Sequence, residues 1–80
     1  MFYVYFLISQ NNPTKSYLGY TPNLEERIKS HNSGQSDYTS KYKPWKLIFY
    51  SAFSKKEKAK YFEKYLKSGS GKTFIKRHFL

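Results

Sequence analysis

The stretch Tyr17–His31 limits the possible folds of this chain more than any other segment, because strand, turn and helix signals follow one another within it. Thr21 is predicted to cap the N-terminus of the helix, and Pro22 suits the first helical position, where its missing amide donor costs nothing. Gly34 then fits the residue just beyond a helix C-terminus. The sequence therefore predicts a strand that ends at Gly19, a tight turn and one short helix.

Two cationic side chains occupy an unusual place on this predicted helix. At about 100° per residue, Leu24 and Ile28 mark the buried face of the helix. Arg27 and His31 lie one turn apart at the edge of that face and are predicted to lean inward. We expect a functional reason for an arginine and a histidine directed together at the body of a small domain.

Three runs of residues have the composition of β-strands. Phe2–Ile8 is followed by the turn residues Asn11-Asn12-Pro13, and the chain returns through Ser16–Tyr20, which predicts an antiparallel hairpin. Trp45–Phe53 has apolar residues in both alternating sets, which predicts a central strand covered on both sides. We assign Leu47 and Phe49 to the same face of this strand.

Two further helices are predicted in the second half of the chain. Ser54 and Glu57 have the spacing of a capping box, and the helix that follows is expected to run to about Lys67. Residues 68–71 are read as a break, and Lys72–Phe79 as a last short helix. Residues 33–44 are polar and basic and are predicted to form an exposed loop. The expected fold is therefore one α/β domain of the α+β type over residues 1–80, with a small, mainly antiparallel three-stranded sheet flanked by three helices.

The charge of the chain indicates its class of partner. Lys and Arg number 15 against 5 acidic residues, for a formal net charge of +10, which favours nucleic acid as the partner. There is no cysteine to form a disulfide, and no apolar run approaches the roughly 20 residues needed to span a bilayer. We expect a cytoplasmic protein with no membrane association and no obligate protein partner.

The two tyrosine motifs give the chain a recognisable pattern. Tyr3-Val4-Tyr5, followed by Tyr17-Leu18-Gly19 and then by Arg27 and His31, resembles the motif set of the GIY-YIG nuclease family, and the resemblance covers nearly the whole chain. The chain departs from the family at Tyr3, which replaces the first glycine, and at Val4 and Leu18, which replace isoleucines. The resemblance implies a GIY-YIG-like fold and a divalent-metal-dependent endonuclease, as in small stand-alone members of the family.

One carboxylate has no evident local role. Glu63 falls on the apolar stripe that Ala59, Phe62 and Leu66 define on the predicted helix. An unpaired carboxylate there would destabilise the fold by several kcal/mol. Two interpretations stay open at this point: a structural salt bridge, to Arg27 or a lysine, or a ligand for a single Mg²⁺ or Mn²⁺ ion, which commonly uses one carboxylate, water and substrate phosphate.

Hydrolysis of a phosphodiester bond needs an activated water and stabilisation of charge on the phosphoryl oxygens. Arg27 offers a planar fork for those oxygens, and Glu63 would hold the metal. The residues alone leave the base open among Tyr17, Tyr5 and His31. The resemblance implies Tyr17 as the base with assistance from His31, and Tyr5 would then orient the water or the phosphate.

Basic side chains outside this cluster are candidates for contact with nucleic acid. Tyr38 and Tyr42 lie between Ser, Thr and Lys residues and either stack on bases or cover the edge of the core. The favoured function is cleavage of DNA with low intrinsic sequence specificity. The alternatives are a catalytically idle DNA- or RNA-binding module on the same fold and an RNA-binding or ribosome-associated protein. The six candidate contact residues are Lys41, Lys43, Lys56, Lys60, Lys67 and Lys72.

Overall fold

The computed structural model describes residues 1–80 and contains one antiparallel sheet with helices on both faces. The elements are β1 (Phe2–Ser9), β2 (Ser16–Thr21), α1 (Leu24–Ser33), α2 (Asp37–Tyr42), β3 (Trp45–Phe53), α3 (Lys56–Lys67) and α4 (Gly69–Phe79). The strand order is β2-β1-β3, with β1 antiparallel to both neighbours. The expected fold class is confirmed, but there are four helices rather than three. None of them has the length and apolar character needed to cross a membrane.

The sheet separates two hydrophobic cores, because alternate residues of β1 point to opposite faces. The larger core lies between the sheet and the pair α3 and α4, and its buried members are Val4, Phe6, Ala59, Leu66 and Ile75. The smaller core lies under α1 and α2, and its buried members are Tyr5, Leu7 and Trp45. Even-numbered residues of β1, such as Val4 and Phe6, therefore face the larger core, and odd-numbered ones, such as Tyr5 and Leu7, face the smaller core.

The prediction that β3 is the central strand is wrong, since β3 is an outer strand and β1 is central. The apolar residues on both faces of β3 are explained by a bulge. Phe6 pairs with Phe49 and Leu7 pairs with Leu47, which leaves Ile48 without a partner. This extra residue reverses the alternation. Leu47 consequently packs in the smaller core and Phe49 against the larger one, which corrects their assignment to one face.

The segment predicted as an exposed loop contains the helix α2. Ser36 caps this helix by accepting a hydrogen bond from the backbone N–H of Thr39. The carbonyl of buried Thr39 accepts a bond of 3.1 Å from the indole N–H of Trp45. Tyr38 stacks on Trp45 at 5.7 Å between ring centroids, and Tyr42 packs against the smaller core. Both tyrosines thus cover the edge of the core, and stacking on bases stays a prediction.

The N-terminus of α1 differs from its prediction by two residues. Asn23, not Thr21, is the N-cap, and its side chain accepts a bond of 3.2 Å from the backbone N–H of Glu26. Thr21 is instead the buried last residue of β2. The helix ends at Gly34, whose φ of 78° is left-handed, as predicted for the residue beyond the helix.

The start of α3 lacks the predicted capping box. Lys55 is the N-cap residue and makes no side-chain bond to the helix. Ser54 lies one position too early, because the helix begins at Lys56. Helix α3 is therefore held by its buried stripe and not by its first turn.

Helix α4 begins at Gly69, three residues before the predicted start at Lys72. Ser68 ends α3 and also caps α4, where its hydroxyl accepts a bond of 3.2 Å from the N–H of Gly71. A Cβ at Gly71 would collide with the carbonyl oxygen of Tyr65. Glycine is thus required for the close corner that brings α4 against α3.

Candidate active site

The hairpin of β1 and β2 places two tyrosine rings side by side. Tyr5 pairs with Gly19 and Leu7 with Tyr17, so the side chains of Tyr5 and Tyr17 emerge on the same face of the sheet. Their ring centroids are 6.1 Å apart. A Cβ at Gly19 would lie 2.6 Å from the hydroxyl oxygen of Tyr5 and 2.8 Å from a ring carbon of Tyr17. The glycine of the second motif is therefore the residue that makes room for both rings.

Helix α1 brings His31 onto this pair. His31 is buried, with 6% of its surface exposed, and its Nε2 lies 2.7 Å from the hydroxyl oxygen of Tyr5. Its ring centroid is 4.5 Å from that of Tyr17. Three of the predicted site residues thus form one contact cluster, although they come from two strands and a helix.

Burial of His31 and Tyr5 shifts their pKa values and so determines which form each side chain takes at neutral pH. The pKa of His31 is lowered by its burial and, to a smaller extent, by the positive charge of Arg27. The pKa of Tyr5 is raised by burial and by the neighbouring Tyr17, and the charge of Arg27 only partly opposes this. At neutral pH, His31 is therefore a neutral imidazole and the hydroxyl of Tyr5 keeps its proton.

Tyr5 and Tyr17 consequently have different capabilities. Tyr5 is 1% exposed and bonded to His31, so its hydroxyl can orient the imidazole but does not reach solvent. The hydroxyl of Tyr17 is close enough to that of Tyr5 to contribute to the raised pKa of Tyr5, and Tyr17 as a whole is half-buried. The Nδ1 atom of His31 has no hydrogen-bond partner within the protein, and since no buried side-chain nitrogen or oxygen lacks a partner, this atom is accessible to solvent. The cluster therefore presents two groups that can exchange a proton with a bound molecule.

Arg27 lies beside the cluster but does not lean inward as the sequence predicted. The residue is exposed, and its guanidinium forms no ion pair. It lines an open polar depression of about 490 Å³ together with residues such as Thr21 and Ser30. Its charge is still felt by both Tyr5 and His31. Arg27 has no ion-pair partner and can bind an anion, although Glu26 lines the same depression.

Glu63 reaches the neighbourhood of the cluster from α3, on the other side of the sheet. Its carboxylate is one of the charges that raise the pKa of Tyr5. Its Oε2 accepts a bond of 3.1 Å from Nζ of Lys67, one turn further along the helix. The salt bridge considered from the sequence therefore exists, and its partner is Lys67 rather than Arg27.

The surroundings of Glu63 are compatible with one hard cation. The structure has no group of three or more His, Cys, Asp or Glu residues that could hold a metal, so Glu63 would be its single protein ligand. That donor set suits Mg²⁺ or Mn²⁺, for which water and substrate oxygens complete the shell. The side chain of Lys67 is 56% exposed and can turn into solvent, whereas that of Glu63 is 21% exposed. An ion can therefore replace Lys67 without disturbing the core.

The six predicted contact lysines are all exposed, but they do not form one surface. Lys41 and Lys43 belong to the α2 side of the sheet, and the other four, Lys56, Lys60, Lys67 and Lys72, to the α3 and α4 side.

The sequence reasoning considered Tyr38 but did not place it next to Tyr17, and it did not consider Lys15. The ring of Tyr38 is 6.3 Å from that of Tyr17, and Nζ of Lys15 lies 5.5 Å from the centre of the Tyr42 ring. The cap signal at Ser36 could have identified α2 and so have placed Tyr38 near the cluster.

Comparison with known proteins gives a consistent result. A family model described as "GIY-YIG catalytic domain" matches residues 1–77. A UPF0213 protein of Clostridium perfringens is 41% identical over 68 residues, which are 84% of this chain and 71% of that protein. A Giardia intestinalis protein named as a structure-specific endonuclease subunit SLX1 homolog is 36% identical over 69 residues, which cover 79% of this chain and 19% of that protein.

A solved structure agrees with these sequence matches. The solution NMR structure of a UPF0213 protein from Bacillus halodurans has a TM-score of 0.57 and 33% identity, and the match covers 99% of this chain and 87% of that one. The matched region includes the hairpin that holds Tyr5 and Tyr17 and the helix that holds His31. The chain therefore belongs to the GIY-YIG nuclease domain family, whose members act on nucleic acid and generally use a divalent metal ion.

Proposed function

We propose that this protein is a divalent-metal-dependent endonuclease that hydrolyses phosphodiester bonds in DNA with low intrinsic sequence specificity. The observation that carries the proposal is the hydrogen bond between Tyr5 and His31, which holds a neutral imidazole against the ring of Tyr17. A surface that only binds DNA gains nothing from this arrangement, because a neutral imidazole does not attract phosphate. A group that accepts a proton must offer an unprotonated atom, and a neutral imidazole such as that of His31 has one.

In this mechanism the attacking water gives a proton to the oxygen of Tyr17, while the phenolic proton of Tyr17 passes to the neutral imidazole of His31, which becomes an imidazolium. Tyr17 is half-buried, and the imidazole that accepts its proton packs on its ring. Tyr5 fixes the orientation of that imidazole through its bond to Nε2. Tyr5 itself is assigned a positioning role, since its raised pKa opposes loss of its proton.

Arg27 stabilises the negative charge that develops on the phosphoryl oxygens. Its guanidinium is exposed and unpaired, so binding a phosphate requires no existing ion pair to break. The planar fork can contact two oxygens of the same phosphate, which a lysine at this position cannot do. The effect of its charge on Tyr5 and His31 supports a phosphate contact near the cluster.

Glu63 would hold the metal ion, after its bond to Lys67 is released. When bound, the ion acts as a Lewis acid that stabilises charge at the leaving oxygen. The released ammonium of Lys67 then remains at the surface as one more cation for the DNA backbone.

The proposal is tested by incubating the protein with plasmid, single-stranded and branched DNA, with Mg²⁺ or Mn²⁺ and with EDTA. The informative variant is Tyr17→Phe, which removes the hydroxyl assigned to proton transfer and keeps the ring. Its matched control is Tyr61→Phe on α3, a residue that is 77% exposed. We expect metal-dependent cleavage by the parent and by the Tyr61 variant, and a loss of about 100-fold or more with Tyr17→Phe.

A binding module on the same fold predicts a different result. The observation in its favour is that the carboxylate of Glu63 is already engaged by Lys67. In that case the parent and both variants would bind DNA alike, and none would cleave it with either metal. This outcome would contradict the proposed endonuclease.

A further inference from the structure

A second concave surface lies on the face of the sheet opposite to Tyr5, Tyr17 and His31. It is a groove of about 610 Å³ between the outer strand β2 and the helices α3 and α4. This volume is within the range typical of ligand sites in proteins. We call it the back groove, and its apolar lining consists of Phe6, Leu18, Leu66, Ile75 and Leu80.

The rim of the back groove is positively charged. Lys67, Lys72 and Lys76 all line it, and no acidic residue does. Lys72 and Lys76 are one helical turn apart on α4, so their side chains project from the same face of the helix. Glu63 pairs with Lys67 but leaves the other two ammonium groups unpaired. An occupant of this groove therefore needs apolar groups for the floor and several negative charges for the rim.

The backbone of β2 offers hydrogen bonds beside the same groove. The N–H of Ser9 donates to the carbonyl of Lys15 at 3.0 Å, and bonded pairs alternate along an antiparallel ladder. Ser16, Leu18 and Tyr20 therefore turn their backbone groups away from β1. The carbonyl of Ser16 confirms this, because it accepts a bond from Tyr38 at 2.8 Å.

The other backbone groups of β2 that point away from β1 form no hydrogen bonds. The N–H and carbonyl groups of Leu18 and Tyr20 bond to no other part of the protein, since β2 has a strand on one side only. The side chain of Leu18 lines the back groove. A strand added at this edge would thus place alternate side chains directly over the groove.

We propose that the back groove binds an extended, acidic peptide segment of a partner protein. The segment pairs with β2 at Leu18 and Tyr20, packs apolar side chains against Leu18 and Leu80, and places carboxylates near Lys72 and Lys76. This inference does not rest on the proposed nuclease activity, because none of its residues belongs to the cluster of Tyr5, Tyr17 and His31, although the rim shares Lys67 and Lys72 with the predicted nucleic-acid contacts.

The chemistry of the groove favours a peptide over other anions. Nucleobases stack on aromatic faces, but four of the five apolar lining residues are aliphatic and only Phe6 is aromatic. A fatty carboxylate has a single charge, which leaves most of the cationic rim unmatched, and it makes no use of the backbone groups of Leu18. A peptide uses the apolar floor, the cations and the strand edge together.

The probe for this site is a fluorescently labelled peptide of sequence Asp-Ser-Leu-Ser-Leu-Ser-Asp. In an extended strand its aspartates and leucines share one face, because side chains alternate. The control peptide, Asp-Leu-Asp-Leu-Ser-Ser-Ser, has the same composition and charge but places leucines and aspartates on opposite faces. We expect the first to bind at least about tenfold more tightly by fluorescence anisotropy, since only it can fill the floor and meet the rim together.

The protein variant is the pair Lys72→Glu and Lys76→Glu, matched by Lys56→Glu and Lys58→Glu. The matched pair makes the same charge change at exposed positions on the first turn of α3, outside the groove. We expect the α4 pair to weaken binding of the first peptide by about tenfold or more and the α3 pair by less than about threefold. In the unsubstituted protein, the peptide should also slow amide hydrogen exchange at Leu18 and Tyr20.

Three results would overturn the proposal. The first is equal affinity for the two peptides, which would show attraction by net charge alone. The second is unchanged amide exchange at Leu18 and Tyr20 with the peptide bound. The third is displacement of the peptide by laurate or by a short thymidine oligonucleotide, with binding of that competitor abolished in the Lys72 and Lys76 variant, which would assign the groove to a lipid or to nucleic acid.

Discussion

Replacement of Glu63 by glutamine separates a structural role for this carboxylate from a role in metal binding. In the structure, Glu63 accepts one bond from Lys67, and the two side chains are 21% and 56% exposed. Such a pair, spaced by one helical turn, contributes about 0.3–0.5 kcal/mol. In a domain of this size that corresponds to a shift of about 2–4 °C in melting temperature. We therefore expect Glu63→Gln to melt within about 4 °C of the parent when EDTA is present.

Addition of a divalent metal ion should change the melting temperature of the parent but not that of Glu63→Gln. An ion that binds only the folded protein stabilises it by RT ln(1 + [L]/Kd), which is about 2.7 kcal/mol at one hundred times Kd. We expect the parent to gain about 10 °C or more under this condition. The glutamine variant lacks the anionic ligand, so it should show no gain and should lose metal-dependent cleavage.

The assay is a set of thermal melts with EDTA, Mg²⁺ or Mn²⁺, run beside a plasmid-nicking assay. The control is Lys67→Met, which breaks the same salt bridge but retains the carboxylate and should keep both the metal response and the cleavage. A glutamine variant that unfolds several kcal/mol more easily and still nicks DNA would show that Glu63 is a structural residue.

Three further predictions follow from the other residues described. Arg27→Lys should reduce cleavage by about 10-fold or more and leave DNA affinity within about twofold, because many other cations hold the DNA; a parallel loss of both quantities would make Arg27 an ordinary backbone contact. The pKa of His31 is lower in the folded than in the unfolded chain. The contribution of His31 to the free energy of unfolding should therefore have its full value above about pH 6.5 and decrease as the pH drops toward the folded pKa. Urea melts between about pH 7.5 and 5.5 should show a smaller decrease for His31→Gln than for the parent. Gly71→Ala should destabilise the protein by about 1–3 kcal/mol or more in the same melts, because its Cβ meets the backbone of Tyr65, whereas Gly69→Ala, with nothing within 4 Å of its Cβ, should be neutral or stabilising.

The strands could be predicted from the sequence because their apolar and aromatic runs are long. The position of β3 could not, since the bulge at Ile48 gives an outer strand the two-sided apolar pattern of a central one. Helix α2 was missed because it has only six residues, too few for a helical period to be recognised. The capping box at Ser54 failed because a local pattern does not decide where α3 begins when its packing against the sheet does.

The contact of His31 with the two motif tyrosines agrees with the resemblance to the family, but the internal arrangement of the candidate site was not predictable. The resemblance grouped Arg27 and His31 with these tyrosines, yet only the fold shows that Tyr5 is buried and bonded to His31 while Arg27 is exposed. That difference arises from tertiary burial, which no local pattern encodes. The salt bridge of Glu63 was accessible from the sequence, since a lysine four residues after a glutamate on a helix is a favourable pair.

The central position of β1 has a consequence for the order in which the protein folds. The hairpin of β1 and β2 joins residues close in the chain, such as Ile8 and Ser16, so its loop closes at a small entropic cost. Pairing of β1 with β3 joins Phe2 to Phe53, and its loop contains all of α1 and α2. During synthesis, the N-terminal half emerges with Tyr5, Tyr17 and His31 present, but β1 cannot acquire its second neighbour until Phe53 has left the ribosome. The pairing of β1 with β3 is a non-local and therefore slow step, and it determines when the sheet around these residues is complete.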